Sequence, residues 1–294
     1  DGPIWNSYLH GHMAEVRISH KNNFNASPNA GLTDTITVPT SQYEEESFVQ
    51  KILGSSLADN YTKLLLHLDG EDGATTSIDS SSSGHVLTFS GTAELDTAVK
   101  KFGISSASFN SGAGKISAPF STDFQLTNED FTIDLQAQTT TFPTGSYYTL
   151  VSNWLAESSA RSYIFSIYNE GNVKNLAFYY STNGASAGLL NFNITALWTD
   201  NVMHHLAVER YKDRIYIYLD GTKLNGAGLD VSGVTFFNSV YPLDIGRRSS
   251  GSEYFQGWLD EVRLSKGIGR YQGVSFTPPT SQYLFINKIS GITI

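Results

Sequence analysis

Gly257-Trp258-Leu259-Asp260-Glu261-Val262-Arg263-Leu264-Ser265-Lys266 decides the fold, because the chain carries this stretch twice. Residues 11–20 read GHMAEVRISH and repeat its Gly, Glu, Val, Arg and Ser in register. Val16 and Ile18 alternate with Glu15 and Arg17, the period of a strand with one face buried. A second block follows each copy: Pro39-Thr40-Ser41-Gln42-Tyr43 recurs as Pro279-Thr280-Ser281-Gln282-Tyr283. Two blocks in the same order mark a duplicated unit. Residues 1–43 are therefore expected to be the closing strand and exit of an upstream domain. Residues 44–60, with Phe48, Val49, Ile52 and Leu53 at helical spacing, read as a linker. Residues 61–283 read as one complete copy, and 284–294 as a tail.

Within that copy, period-2 runs alternate with turn residues. Lys63–Leu68 (KLLLHL) ends at Asp69-Gly70, Phe131–Ala137 reads FTIDLQA, and Tyr163–Tyr168 reads YIFSIY. Met203–Tyr211 and Arg214–Leu219 are separated by Lys212-Asp213 alone, the spacing of a tight hairpin. The fold class is all-β, a two-sheet antiparallel jelly-roll sandwich.

Composition excludes several functions. The chain has 294 residues and no Cys, so there is no disulfide scaffold, thiolate nucleophile or Cys-based metal site. Its net charge of −9 provides neither the basic footprint of a duplex nucleic-acid binder nor a polybasic membrane patch. No run approaches the apolar length of a membrane helix.

The motifs resemble a known family. LLLHLDG at 64–70, Lys101-Phe102-Gly103, Asp130-Phe131-Thr132-Ile133-Asp134, Met203-His204-His205-Leu206-Ala207-Val208, Ile217-Tyr218-Leu219-Asp220-Gly221 and residues 257–265 come in the order of laminin-G-like jelly rolls of the concanavalin A superfamily. The exit, Arg270-Tyr271 through Phe276-Thr277-Pro278-Pro279, is similar to versions in bacteriophage structural proteins. Ala14 stands in the upstream copy where the complete one has Asp260, and His12 replaces Trp258.

The resemblance implies a structural calcium ion where first and last strands meet. Asp69, Asp72 and Asp260 are the candidate oxygen ligands; the alternative reading makes the first two turn formers and bonds Asp260 to backbone. His204 and His205 are adjacent on a strand, so they point to opposite faces and cannot share an ion. One ring is expected inside and the other in solvent. His10 and His12 share a face and could ligate only as part of an oligomer. For a sugar ligand the candidates are Tyr179, Tyr180 and Tyr254, whereas Trp154 and Trp198 read as packing. Arg247-Arg248 reads as a solvated turn, and the sequons at Asn25, Asn60 and Asn193 as incidental.

There is no Gly-x-Ser-x-Gly elbow, phosphate loop or dinucleotide fingerprint. No strand carries the closely spaced carboxylates that a retaining glycosidase needs. The expectation is a non-catalytic protein of a virion, as capsid decoration, head fibre or tail fibre. It would be a homo-oligomer contacting other virion proteins and host-surface glycans. The alternatives are a carbohydrate-binding module of a secreted polysaccharide-degrading protein, or an assembly module without sugar affinity.

Overall fold

The computed structural model describes residues 57–109, 113–155, 159–248 and 253–285. The chain divides into two units, Asp1–Gly54 and Ser55–Ile294, and the described residues all lie in the second. The expectations for residues 1–43, the linker up to residue 56, His10, His12 and residues 286–294 fall outside them.

The chain enters at β1 (Leu57–Ala58) and β2 (Thr62–Leu66). Four short strands follow: β3 (Thr88–Ser90), β4 (Glu94–Asp96), β5 (Ser106–Ser108) and β6 (Lys115–Ala118). The long strands are β7 (Phe131–Gln138), β8 (Tyr147–Leu155), β9 (Ala160–Glu170), β10 (Val173–Tyr180), β11 (Gly188–Asn193), β12 (His204–Tyr211) and β13 (Arg214–Leu219). Then β14 (Thr222–Lys223), β15 (Leu229–Asp230) and β16 (Leu243–Ile245) lead to β17 (Trp258–Lys266) and β18 (Leu284–Phe285). Among the described residues there is no α-helix, only a single 3-10 turn at Thr122–Phe124. No helix among them is long and apolar enough to cross a membrane.

Two antiparallel sheets face each other. One has the order β11-β10-β9-β8-β16-β6-β3; the other runs β14-β13-β12-β7-β17-β5-β4, with β2 also on β17 and β15 on β13. Alternation sorts the side chains. On β7, Phe131, Ile133, Leu135 and Ala137 point inward, and on β9, Tyr163, Phe165 and Ile167 meet them from the opposite sheet. Each apolar stripe can leave water only against the other sheet, so the sandwich follows from the pattern. The Lys212-Asp213 turn closes the β12–β13 hairpin with both residues at positive φ, as the two-residue spacing requires.

The sandwich ends are tied outside the bounds drawn from sequence. Leu57–Ala58, assigned to the linker, pairs in parallel with Leu284–Phe285, assigned to the tail. Two-residue pairings carry too little periodicity to be read from sequence.

His204 and His205 do point to opposite faces, but neither ring is in solvent. His204 stacks on Trp198 and binds the Asp220 carboxylate through Nδ1 at 2.7 Å. His205, on the outer face of the nine-stranded sheet, is buried under the exit segment that carries Tyr271, Phe276 and Tyr283. Burial lowers its pKa to about 4, so the ring is neutral near pH 7.

Candidate functional site

The two outer faces differ in kind. On the nine-stranded sheet, polar side chains serve the fold. Arg263 on β17 donates from Nε and Nη2 to the two oxygens of Asp134 on β7, at 3.0 and 2.6 Å, and both residues are fully buried. Tyr271 donates its hydroxyl to the same carboxylate, and the Tyr283 ring lies 3.7 Å from the guanidinium. Glu209 accepts from the Tyr218 hydroxyl and the amides of Tyr271 and Gly273. The exit segment is thereby pinned across this face.

Asp260 and Glu261 sit in a β-bulge of β17, with Glu261 at φ 49°. Asp260 accepts the amides of Lys101, Phe102 and Glu261, and burial lifts its carboxyl to about 7 against their pull. Asp69 accepts from the amides of Ile104 and Ser105 and from Gln282, while Asp72 accepts from Thr97. Calcium requires six to eight converging oxygens. Here each carboxylate is already turned to N–H donors, and no group of three acidic or histidine side chains among the described residues is placed to hold a metal ion. The set Asp69, Asp72 and Asp260 does not fit calcium; backbone anchoring explains all three. A chelator should therefore leave the melting temperature where calcium leaves it. A scan in which EDTA lowers the transition would contradict this geometry.

A pocket of about 480 Å³ opens beside Asp69, lined among others by His67, Glu71, Thr76 and Ile78. His67 is committed through Nδ1 to buried Glu261 at 2.8 Å.

The outer face of the seven-stranded sheet has another character. Tyr147 on β8 faces Tyr168 on β9 across the ladder, and their rings stack at 4.8 Å. Tyr179 on β10 meets Tyr147 edge-on at 6.2 Å. Burial, the hydrogen bond to Tyr147 and nearby acidic groups including Glu253 push the Tyr179 phenol up, so it remains a protonated donor. Asn191 on the next strand donates Nδ2 to the Tyr168 hydroxyl at 2.7 Å. Two residues along the same face, Thr149 and Ser166 form a facing pair whose hydroxyls are buried without a partner. Of the charges bordering the cluster, Lys115 pairs with Asp244 at 3.2 Å and Arg248 with Glu253 at 3.2 Å. Glu170, exposed two residues beyond Tyr168 on the same face, has no ion pair among the described residues. Tyr147 is 37% exposed, and Leu189 on β11 is 46% exposed. The face thus combines exposed ring surface, amide and phenol hydrogen-bonding groups, and a border whose one unpaired charge among the described residues is a carboxylate. That mixture suits polyhydroxylated, uncharged ligands.

Of the residues singled out from sequence, Tyr179 lies on this face. Tyr254 stacks beneath the Arg247 guanidinium at 4.6 Å, and Arg248 is ion-paired, so this loop is not simply a solvated turn. Tyr180 points the other way: its ring stacks on Phe236 at 5.1 Å against the core, because neighbours on a strand alternate in side. Trp154 and Trp198 are buried, as expected. Sequence reasoning missed Tyr147, Tyr168 and Asn191. The Tyr147–Tyr168 pairing is set by the β8–β9 turn, since the two register shifts between that turn and the pair cancel, and no local pattern announces where the turn closes.

Two sheets of this order, with an aromatic and amide-rich outer face, define a jelly roll of the lectin type. The chain belongs to the Laminin_G_3 family of the concanavalin A-like lectin/glucanases superfamily, which residues 110–268 match. No curated protein sequence matches the chain. Among solved structures, the binding domain of Paraclostridial Mosquitocidal Protein 1 is similar over 72% of this chain and 51% of its own, with a TM-score of 0.57 and 12% identity. Domain 4 of AbnA, a GH43 extracellular arabinanase from Geobacillus stearothermophilus solved with arabinotriose, is similar over 72% of this chain and 95% of its own (TM-score 0.51, 17% identity). The ligand-binding domain of botulinum neurotoxin serotype D, solved with N-acetylneuraminic acid, is similar over 76% and 50% (TM-score 0.55, 12% identity). The chain spans about half the length of the toxin binding domains. At these identities the likeness is one of fold.

Proposed function

We propose that the sandwich is a non-catalytic adhesion module that holds a neutral oligosaccharide against the outer face of β8–β11. The observation carrying this reading is the cluster Tyr147–Tyr168–Tyr179 with Asn191. Stacked phenols offer apolar surface to sugar C–H groups, and the amide with its neighbouring hydroxyls offers directional hydrogen bonds. The one unpaired charge at the border among the described residues, Glu170, is itself acidic and disfavours an acidic sugar. Domain 4 of the arabinanase, bound to arabinotriose, supports a neutral ligand on this type of sandwich. The setting we favour is a virion surface, as decoration or fibre, on the strength of the phage-like exit motif between Arg270 and Pro279. A module of a secreted polysaccharide-degrading protein is the second reading, favoured by that same arabinanase domain.

Tyr147→Ala tests the site. On arrays of neutral and sialylated glycans, the full chain should retain a neutral oligosaccharide. The variant should bind it at least about tenfold more weakly, roughly 1.4 kcal/mol. Losing the stack on Tyr168 should cost only about 0.5–1.5 kcal/mol of stability, so the variant stays folded where binding is compared. Absence of glycan binding, or binding indifferent to Tyr147, would overturn the proposal. Imaging particles with an antibody to this chain separates the virion from the secreted setting.

A further inference from the structure

The ends of the two sheets are not equally protected. Among the described residues, the nine-stranded sheet ends in β14, β15 and β4, of two or three residues, and in β2, whose outer side is taken by Asp79. One end of the seven-stranded sheet is the three-residue β3. Its other end is β11, six residues reading GLLNFN, with no charge and no proline. Edge strands of soluble proteins are normally kept short, charged or covered, because their free backbone groups recruit another strand.

The direction of those free groups follows from the ladder. Ile194 donates its amide to the Lys174 carbonyl at 2.8 Å, and the Lys174 amide points the same way, to Thr195 Oγ1 at 2.9 Å, so this rung has the geometry of a hydrogen-bonded pair. Hydrogen-bonded pairs alternate along an antiparallel ladder. Phe192, Leu190 and Gly188 therefore turn their amides and carbonyls to β10, and Leu189, Asn191 and Asn193 turn theirs outward. The side chains agree. Leu190 and Phe192 pack against the core but stay partly exposed, and Leu189 is exposed on the outer face.

We propose that β11 is a docking edge for β11 of a second copy of this chain, paired antiparallel about Asn191. In this register Asn191 faces Asn191 of the second copy and Leu189 faces Asn193, so all three outward-turned residues find partners. Leu190 then lies opposite Phe192 on the inner face, and both finish their burial. The strand is complementary to itself: it carries no charge to repel its own copy, and apolar meets apolar on the core side. The two seven-stranded sheets become one of fourteen, in a closed twofold pair. Both tyrosine faces then lie on the same side of the joined sheet, an arrangement that converts weak single-site binding into avidity.

Sedimentation of the full chain, without sugar, should show a monomer–dimer equilibrium over micromolar concentrations. Asn191→Lys and Asn191→Asp each place like charges directly opposite one another at the twofold and should weaken self-association at least about tenfold. An equimolar mixture of the two variants should recover the dimer, because the facing charges are then opposite. Leu189→Pro removes an outward amide on an edge where proline is tolerated, and it should give a folded monomer. A wild-type monomer at every concentration, a dimer indifferent to these substitutions, or a mixture that stays monomeric would each overturn the proposal. Since no sugar is present, the result stands apart from the glycan reading.

Discussion

Arg263→Ala will lower the unfolding free energy by about 3–5 kcal/mol, enough to bring a domain of ordinary stability close to unfolding. The cause is what the substitution leaves behind. Asp134 is fully buried and now receives two guanidinium bonds and the Tyr271 hydroxyl; without Arg263 it loses its only directly bonded cation among the described residues and keeps only the more distant Arg270. The Tyr283 ring loses its cation as well, and with it the contact that seats the exit segment. Urea denaturation at neutral pH measures the effect, and a loss below about 1 kcal/mol would show the pair to be dispensable. Replacing both partners, Arg263→Met with Asp134→Leu, should cost less than either single change, because no buried charge is stranded.

The pH dependence has a defined sign. In the native protein burial alone would raise the Asp134 carboxyl, and the Arg263 guanidinium more than offsets it, holding the group below the usual carboxylate range. Its stabilising contribution is present above the unfolded value and is lost as pH falls through the folded one. In Arg263→Ala burial acts largely unopposed, and the folded-state value rises. The variant's deficit is therefore largest at neutral pH and shrinks as acid protonates Asp134.

The parts of the fold legible in the sequence were those with local periodicity. FTIDLQA announces which face of β7 is buried, and Lys212-Asp213 announces its hairpin. The repeated blocks carried more than alternation. Glu261 accepts the Tyr283 amide and Arg263 stacks on the Tyr283 ring, so the residues shared by both copies are ones that touch across the blocks. What stayed hidden depends on register and on covering segments. Tyr179 and Tyr180 are equivalent in composition, and only the pleat tells the ligand face from the core. The Tyr147–Tyr168 stack depends on where the β8–β9 turn closes, and the burial of His205 on an exit segment more than sixty residues away. The acidic residues at 69, 72 and 260 look alike whether they hold an ion or anchor amides. Their hydrogen bonds distinguish the cases.

Gly103→Ala should cost about 2–3 kcal/mol, although it adds one methyl group at the surface of the sandwich. Gly103 stands at φ 61°, where an L-residue pays about 1–2 kcal/mol. The rest is steric. A Cβ there would fall within the Asp69 carboxylate and against the Gln282 amide. Asp69 would have to withdraw from the amides of Ile104 and Ser105 and from Gln282; the groups that move are flexible side-chain ends in exposed or part-buried bonds, so their loss adds about 1 kcal/mol. That junction joins the end of β2, the start of β5 and the exit segment, so its loss loosens three elements at once. Gly73 provides the control. It has a similar φ of 74° but nothing within 4 Å of an added Cβ, so Gly73→Ala should show the backbone cost alone, about 1–2 kcal/mol. Paired thermal or urea denaturation of the two variants separates conformational strain from the crowding at Asp69. Equal losses would mean that the Asp69 junction yields without cost, and that its hydrogen bonds are not what fastens the exit segment to the first long loop.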